Sequence, residues 1–189
     1  DAVVRKYFPE YNGTQKWKLV QPGNILEKDS INFYSLKFFG ASGEQTKRID
    51  VKDLRTIVGN TDVKHRMRMA ALYQAAESEN RVVVGTTNLS EAAGGFFVKY
   101  GDGGVDLEPL SYLYKSHIYQ IAKHLGVPEG ILSRKPSPDT FSAEVADEEF
   151  FFRMPYDKVD LCLYAFFTKA SAEQLAASLG VEVDKAKRV

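Results

Sequence analysis

The chain has 189 residues, 44% of them hydrophobic, with 25 basic against 25 acidic side chains and zero formal net charge. That balance argues against a dedicated nucleic-acid binder, which carries a basic excess, and no apolar run is long enough to cross a bilayer. Cys162 is the single cysteine, which excludes an internal disulfide and makes an intracellular, soluble globular protein the expectation.

Residues 1–24 are mixed, with Tyr7, Phe8, Tyr11 and Trp17 set among charges and Pro9 and Pro22 as breakers. Residues 31–39, Ile-Asn-Phe-Tyr-Ser-Leu-Lys-Phe-Phe, alternate in part and predict a strand. Gly40-Ala41-Ser42-Gly43 is a turn candidate, and residues 47–51 would return as a shorter strand. Residues 62–78 read as a helix, because Met69, Leu72, Tyr73 and Ala76 recur at three-and-four spacing. Val82-Val83-Val84 follows as a β-branched run and predicts a buried inner strand of a parallel sheet.

Gly85 and Thr86 stop that run, and a polar segment ends at Glu91. Ligands in open parallel sheets sit just beyond the carboxyl ends of strands, so residues 86–91 are placed for binding. Gly101, Gly103 and Gly104 then surround Asp102, with Lys99 before and Asp106 after. Glycines at that density permit positive φ or close approach of backbone to a ligand. Residues 115–125 form the clearest helix, with Ile118, Ile121, Ala122 and Leu125 on one face, Gly126 as a stop and Pro128 beyond. A helix is expected around residues 146–153, another begins at Pro155, and a capping box at Ser171 and Gln174 starts a third that stops at Gly180. A further short helix from Asp184 completes the outline of two packed helices, which neutral charge favours over a DNA reader.

Gly85-Thr86-Thr87-Asn88-Leu89-Ser90-Glu91 and Gly95-Phe96-Phe97-Val98-Lys99-Tyr100-Gly101-Asp102-Gly103-Gly104 closely resemble the NAD synthases, ATP-dependent amide ligases of the ATP-pyrophosphatase superfamily. The resemblance continues through Leu113-Tyr114-Lys115, His124-Leu125-Gly126-Val127-Pro128, Pro136-Ser137 and Pro155-Tyr156-Asp157. It implies an α/β, Rossmann-like layered fold with a parallel sheet, like the adenine nucleotide alpha-hydrolases, and a helical C-terminal part. The activity it implies is ATP-dependent amidation of deamido-NAD with Mg2+, the nitrogen coming from free ammonia or from glutamine through a separate glutaminase region, in a cytoplasmic homodimer that uses neither nucleic acid nor membrane.

Carried over residue by residue, the resemblance assigns Thr86, Lys115 and Ser137 to ATP, Arg66, Lys99 and Asp106 to deamido-NAD, and Glu91 to magnesium. It assigns no catalytic residue. Taken by themselves, Glu91 would be a helix N-terminal glutamate, Thr86 a strand-closing threonine and Ser137 a loop serine. Lys115 opens a helix, where the dipole disfavours a cation, so a negative partner is expected beside it. Arg66 and Arg68 lie two apart on a helix, about 200° from each other, so only one faces a site. Cys162, on an apolar helix face, reads as core filling.

Two family features have no match. The Ser-Gly-Gly-x-Asp-Ser pyrophosphate loop is absent, Ala41-Ser42-Gly43-Glu44 being only a turn, and so is a His-Lys pair near the C-terminus. The chain also begins at Asp1 without methionine. It is therefore expected to be a single domain incomplete at its N-terminus and at its C-terminus, with residues 1–60 as a family-specific insertion, and to be inactive alone. The competing readings are an ATP-dependent amidotransferase with another substrate and a non-catalytic domain that kept the scaffold.

Overall fold

Alternating apolar side chains organise the first part of the chain into a three-stranded antiparallel sheet. In the computed structural model, which describes residues 1–27 and 31–189, the strands β1 (Lys16–Val20), β2 (Ser35–Gly40) and β3 (Gly43–Arg48) stand in the order β1-β2-β3. Trp17 pairs with Phe38 and Leu19 with Leu36, which puts all four on one face. Helix α1 (Ala2–Tyr7) and the residue after it cover that face. Val4, Phe8, Leu19, Leu36 and Phe38 are all fully buried, and the Phe8 ring stacks on Phe38 at 4.7 Å. Each such side chain stabilises the fold by about 1.5–3 kcal/mol. The β2–β3 turn is Ala41-Ser42 between the paired Gly40 and Gly43, and Gly43 has φ +103°, which only glycine takes without strain.

These elements belong to a compact unit made of residues 1–64 and 135–153. Its second segment forms a π-helical turn at Glu148–Phe152 instead of the ordinary helix expected there. The turn packs on the sheet through Phe150, which meets Tyr34 and Phe141 ring to ring. Three successive phenylalanines are accommodated because two partners, Gln21 Nε2 and the Gln21 N–H, tie down the carbonyls of Phe150 and Glu149 at 2.9 Å. Arg153 ends the turn in the left-handed region (φ 58°), and its buried guanidinium donates to the carbonyls of Pro22 and Gly23 and to Asn32 Oδ1.

Helix α2 (Val51–Ser78) starts eleven residues before the predicted position. Its start is set by Asp50, whose Oδ1 accepts the Asp53 N–H at 2.7 Å. Gly59 and Asn60 hide this first half from a periodicity reading, since both disfavour the helical state.

The second unit comprises residues 65–134 and 154–189. It contains α3 (Leu89–Gly94), α4 (Lys115–His124), α5 (Glu129–Leu132), α6 (Tyr156–Thr168), α7 (Ala172–Leu179) and α8 (Val183–Ala186). Helix α6 is the hub, packed against α3, α4 and α7. The predicted starts at Lys115 and just after Pro155 and the capping box at Ser171 are all present, with Gly180 in the left-handed conformation at the α7 C-terminus.

Val82–Val84 departs from the expected inner strand. Its only parallel pairing among the described residues is a bridge from Val84 to Leu107, and Val82 and Val84 are 67% and 53% exposed. Only Val83 is buried. The Asp106 carboxylate takes the Val83 N–H at 2.8 Å, a donor that a neighbouring strand would otherwise use. A β-branched run encodes extended backbone but not the number of its neighbours. The apolar stripe of α4 is likewise open: Ile121 and Leu125 are exposed, and no α4 residue is buried.

Candidate functional site

The segment after Val84 turns at once into a helix because Asn88 caps it. Asn88 Oδ1 accepts the Glu91 N–H and Glu91 Oε2 accepts the Asn88 N–H, both at 3.1 Å, a reciprocal capping box. Gly95 closes α3 in the left-handed region at φ 71°. The box orients the Glu91 side chain, and its second oxygen, Oε1, lies 2.9 Å from Lys115 Nζ. Both side chains are mostly covered, at 17% and 20% exposure, so the pair is better shielded than a surface salt bridge.

Lys115 is the first residue of α4, and Glu91 is the negative partner that this position calls for. The Tyr156 ring, 5.3 Å from Nζ, adds a cation–π contact from α6. Tyr114, which precedes α4, makes no side-chain cap. Its place is taken by two side chains from elsewhere in the chain. Ser90 Oγ accepts the Lys115 N–H at 3.0 Å, and Asp160 Oδ2 accepts the Ser116 N–H at 2.8 Å. Ser90 Oγ in turn donates to Asp160 Oδ1 at 2.5 Å. Asp160 also helps push the Tyr114 hydroxyl above its ordinary range, although burial of that phenol is the larger cause.

The glycine loop is held together by its own atoms. Asp102 Oδ1 accepts the Val98 N–H at 2.9 Å, and the Val98 carbonyl receives the N–H groups of Gly101 and Gly103 at 2.8 and 3.3 Å. None of Gly101, Gly103 and Gly104 has positive φ; the residue with positive φ here is Tyr100, at 62°. A Cβ on Gly104 would lie 2.9 Å from Tyr100 Cα, one on Gly103 2.6 Å from the Phe97 ring, and one on Gly101 2.9 Å from His65 Cβ. The glycines are therefore required by the loop's self-packing, which corrects the expectation of positive φ.

Among the residues assigned to deamido-NAD, Arg66 Nε donates to the Lys99 carbonyl at 3.1 Å, which brings α2 and the loop together. Lys99 itself is exposed, with its ammonium over the Tyr100 ring at 5.0 Å. Asp106 is engaged through both oxygens: Oδ1 accepts from Tyr73 Oη at 2.9 Å and Oδ2 from the Val83 N–H. Burial first, and the Asp106 carboxylate second, push the Tyr73 phenol up, so it remains a donor. Thr86 is exposed beside the capped segment. Ser137 lies in the other compact unit, exposed, with its Oγ accepting the Asp139 N–H at 3.2 Å.

Among the described residues no three His, Cys, Asp or Glu side chains gather as a metal site. Magnesium is commonly held by one or two carboxylates together with substrate phosphates; the Glu91 carboxylate, expected to be such a ligand, accepts an internal donor at each oxygen. Cys162 is half-buried, and burial pushes its thiol up, away from nucleophile chemistry. Sequence reasoning missed Asn88, Ser90, Tyr156 and Asp160. The Asn88-x-x-Glu91 spacing is a legible capping signal, and an aspartate between Val159 and Leu161 on an apolar helix is an anomaly that points to a buried acceptor.

Comparison with known proteins places this geometry in a family. Residues 18–189 match the family model described as NAD synthase. The chain is 41% identical to the NH3-dependent NAD+ synthetase of Rhizobium meliloti, an alignment covering 100% of the chain and 57% of that relative. It is 37% identical to the protein of the same name from Mesorhizobium japonicum, covering 99% of the chain and 59% of the relative. It thus spans under two thirds of the length of these curated relatives. Among solved structures, NMN synthetase from Francisella tularensis aligns with TM-score 0.54 and 35% identity, over 58% of this chain and 45% of that one. The NH3-dependent NAD synthetase from Campylobacter jejuni aligns with TM-score 0.50 and 26% identity, over 70% and 48%. These neighbours support the α/β class, and the part after residue 154 is helical as expected.

Proposed function

We propose, from the premise that this chain belongs to the NAD synthase family, that it is part of a ligase amidating deamido-NAD to NAD. The observation that carries the reading is the shielded Glu91–Lys115 pair at the adjoining starts of α3 and α4. A nicotinate carboxylate is a poor acyl donor at neutral pH. Its oxygen attacks the α-phosphorus of ATP, pyrophosphate leaves, and the resulting acyl-adenylate carries a good leaving group. Ammonia then attacks the carbonyl carbon, AMP departs, and the amide nitrogen loses a proton. The protein's task is to align two anionic reactants and to offset phosphate charge.

Lys115 supplies a cation toward the ATP phosphates, with Thr86 as a further nucleotide contact; for Ser137, in the other compact unit, a nucleotide contact is proposed separately, from the resemblance alone. Arg66, Lys99 and Asp106 bind deamido-NAD around the loop that Arg66 already braces. Glu91 would hold magnesium, which when bound neutralises phosphate charge. We further propose a cytoplasmic homodimer that takes its nitrogen from ammonia, in keeping with the names of its relatives.

A second reading is favoured by the Francisella tularensis structure, an NMN synthetase: the acid form of the mononucleotide replaces the dinucleotide as acyl donor. The test is to incubate the protein that carries this chain with ATP, ammonia and either deamido-NAD or that mononucleotide acid, and to measure AMP and the amide product. NAD formation with AMP in equal amount supports the first reading. Turnover of the mononucleotide alone selects the second, and AMP formation with neither substrate refutes both. The 189-residue chain assayed by itself, which has no Ser-Gly-Gly-x-Asp-Ser loop, is expected to show background turnover.

A further inference from the structure

We infer that Asp160 is a positioning residue: it holds the first turn of α4 and the start of α3 together, and so sets the Lys115 ammonium against the Glu91 carboxylate. The inference rests on the reading of Lys115 and Glu91 as nucleotide-facing groups given above. Asp160 lies on α6 and is 5% exposed, and Ser90, beneath it on α3, is fully buried. A carboxylate taken out of water is costly unless its oxygens are bonded. Here one oxygen accepts the Ser90 hydroxyl and the other the Ser116 N–H.

The connection to the proposed site is short. Ser90 is the residue before Glu91, and its Oγ accepts the N–H of Lys115 itself. The Leu89 N–H also donates to the Leu113 carbonyl at 2.9 Å, a further tie between the two helix starts. An α-helix start leaves several N–H groups unsatisfied, and α4 receives no cap from Tyr114. Asp160 and Ser90 satisfy two of them and add a negative charge where the dipole favours one. The Glu91–Lys115 bond is made by side chains one residue from this buried joint, so its geometry follows the joint. Tyr156, one turn earlier on α6, faces the same ammonium.

The test compares Asp160→Asn, Ser90→Ala and the double variant in the protein that carries this chain. Each is first checked for fold by circular dichroism and thermal midpoint. The first readout is the rate of acylation of Lys115 by acetic anhydride, followed by peptide mapping, which needs no enzymatic activity. The second is the KM for ATP set beside that for ammonia. Outer-shell partners that orient metal ligands, an analogous kind of support, typically cost roughly 10–100-fold in affinity or activity when mutated. The expected result is faster labelling of Lys115 and an ATP KM raised by that factor, with the ammonia KM unmoved. The double variant should do no more than either single one, because the residues act as a unit. A purely structural role would lower the thermal midpoint and leave both readouts within about twofold of wild type, which would overturn the inference. If Asp160→Asn does not fold, Ser90→Ala, which deletes a single oxygen, decides by the same two readouts. If the wild-type protein amidates neither substrate, the functional reading fails, and Lys115 labelling still decides the role of Asp160.

Discussion

Glu91→Gln separates the structural from the proposed chemical work of one carboxylate. Glu91 has two acceptors in use, Oε2 for the Asn88 N–H and Oε1 for the Lys115 ammonium. Glutamine has the same shape but one acceptor, and its NH2 end must then face a donor. Either the capping box or the Lys115 bond is lost. A hydrogen bond to a charged group contributes about 1.5–3 kcal/mol, and the residual exposure of both side chains moves the value toward the lower end. A loss of about 1–2 kcal/mol follows, which for a chain of this length lowers the thermal midpoint by roughly 2–8 °C. From the sequence alone, the carboxylate has little packing value and folding should be unharmed; the capping box and the ion pair replace that expectation with a measurable cost.

Activity should fall much further than stability. If Glu91 holds magnesium, its loss removes the ligand and leaves the phosphate charge uncompensated. Kinetics across a magnesium titration, run well below the thermal midpoint of the variant, is the assay. Wild-type turnover by Glu91→Gln at low magnesium would refute the assignment. Lys115→Met added to Glu91→Gln removes the ammonium that faces the amide, so stability should recover in part while activity stays lost. Recovery of activity as well would mean that the pair matters only for folding.

Ser171→Ala deletes the reciprocal cap in which Ser171 Oγ accepts from Gln174 N–H and Gln174 Oε1 from Ser171 N–H; a loss of about 1 kcal/mol in denaturant titration is expected. Gly104→Ala forces a Cβ to within 2.9 Å of Tyr100 Cα, and overpacking of that kind costs about 1–3 kcal/mol. Gly23→Ala, with nothing within 4 Å, is the neutral control by the same titration. Burial pushes the Glu149 carboxyl up, but the hydrogen-bonded Lys18 ammonium at 2.7 Å prevails and holds it below its ordinary value. Its contribution is therefore full above the unfolded-state value and disappears as pH falls through the lower folded one. Lys18→Met should flatten the acid limb of a stability–pH curve measured from about pH 5 to about pH 3.

Local signals were legible where the local chain decides the outcome. The Ser171 capping box, the helix after Pro155 and the start of α4 at Lys115 follow from residues within a few positions of each other. The negative neighbour of Lys115 was foreseeable from the dipole, and Glu91 fills that role. Illegible features depend on distant chain. Strand β1 was hidden because Lys16 and Lys18 interrupt it, yet Lys18 is buried against Glu149, 131 positions away. The trans-cap on α4 joins Ser90, Ser116 and Asp160, which no short window contains.

The candidate site was hard to read for a deeper reason. A carboxylate at a loop in the sequence invites a ligand, but folding uses such a carboxylate as a fastener first. Glu91 caps the start of α3, Asp102 closes the glycine loop through the Val98 N–H, and Asp106 ties Tyr73 to Val83. Each satisfies backbone donors in segments that lack regular pairing, where an unmet N–H would cost about 1–3 kcal/mol. The same residues are the ones whose spacing resembles a nucleotide-binding family. Residue type and spacing therefore do not divide scaffold from site here: both oxygens of Glu91 and of Asp106 already accept internal donors, and a carboxylate has further lone pairs with which to take a partner. Asp106 tests this most directly. Tyr73→Phe removes one internal bond without touching the carboxylate, so a purely structural Asp106 predicts a loss of stability alone. A change in the KM for deamido-NAD, with the ATP KM unmoved, would show that the hydroxyl aims that carboxylate at the substrate.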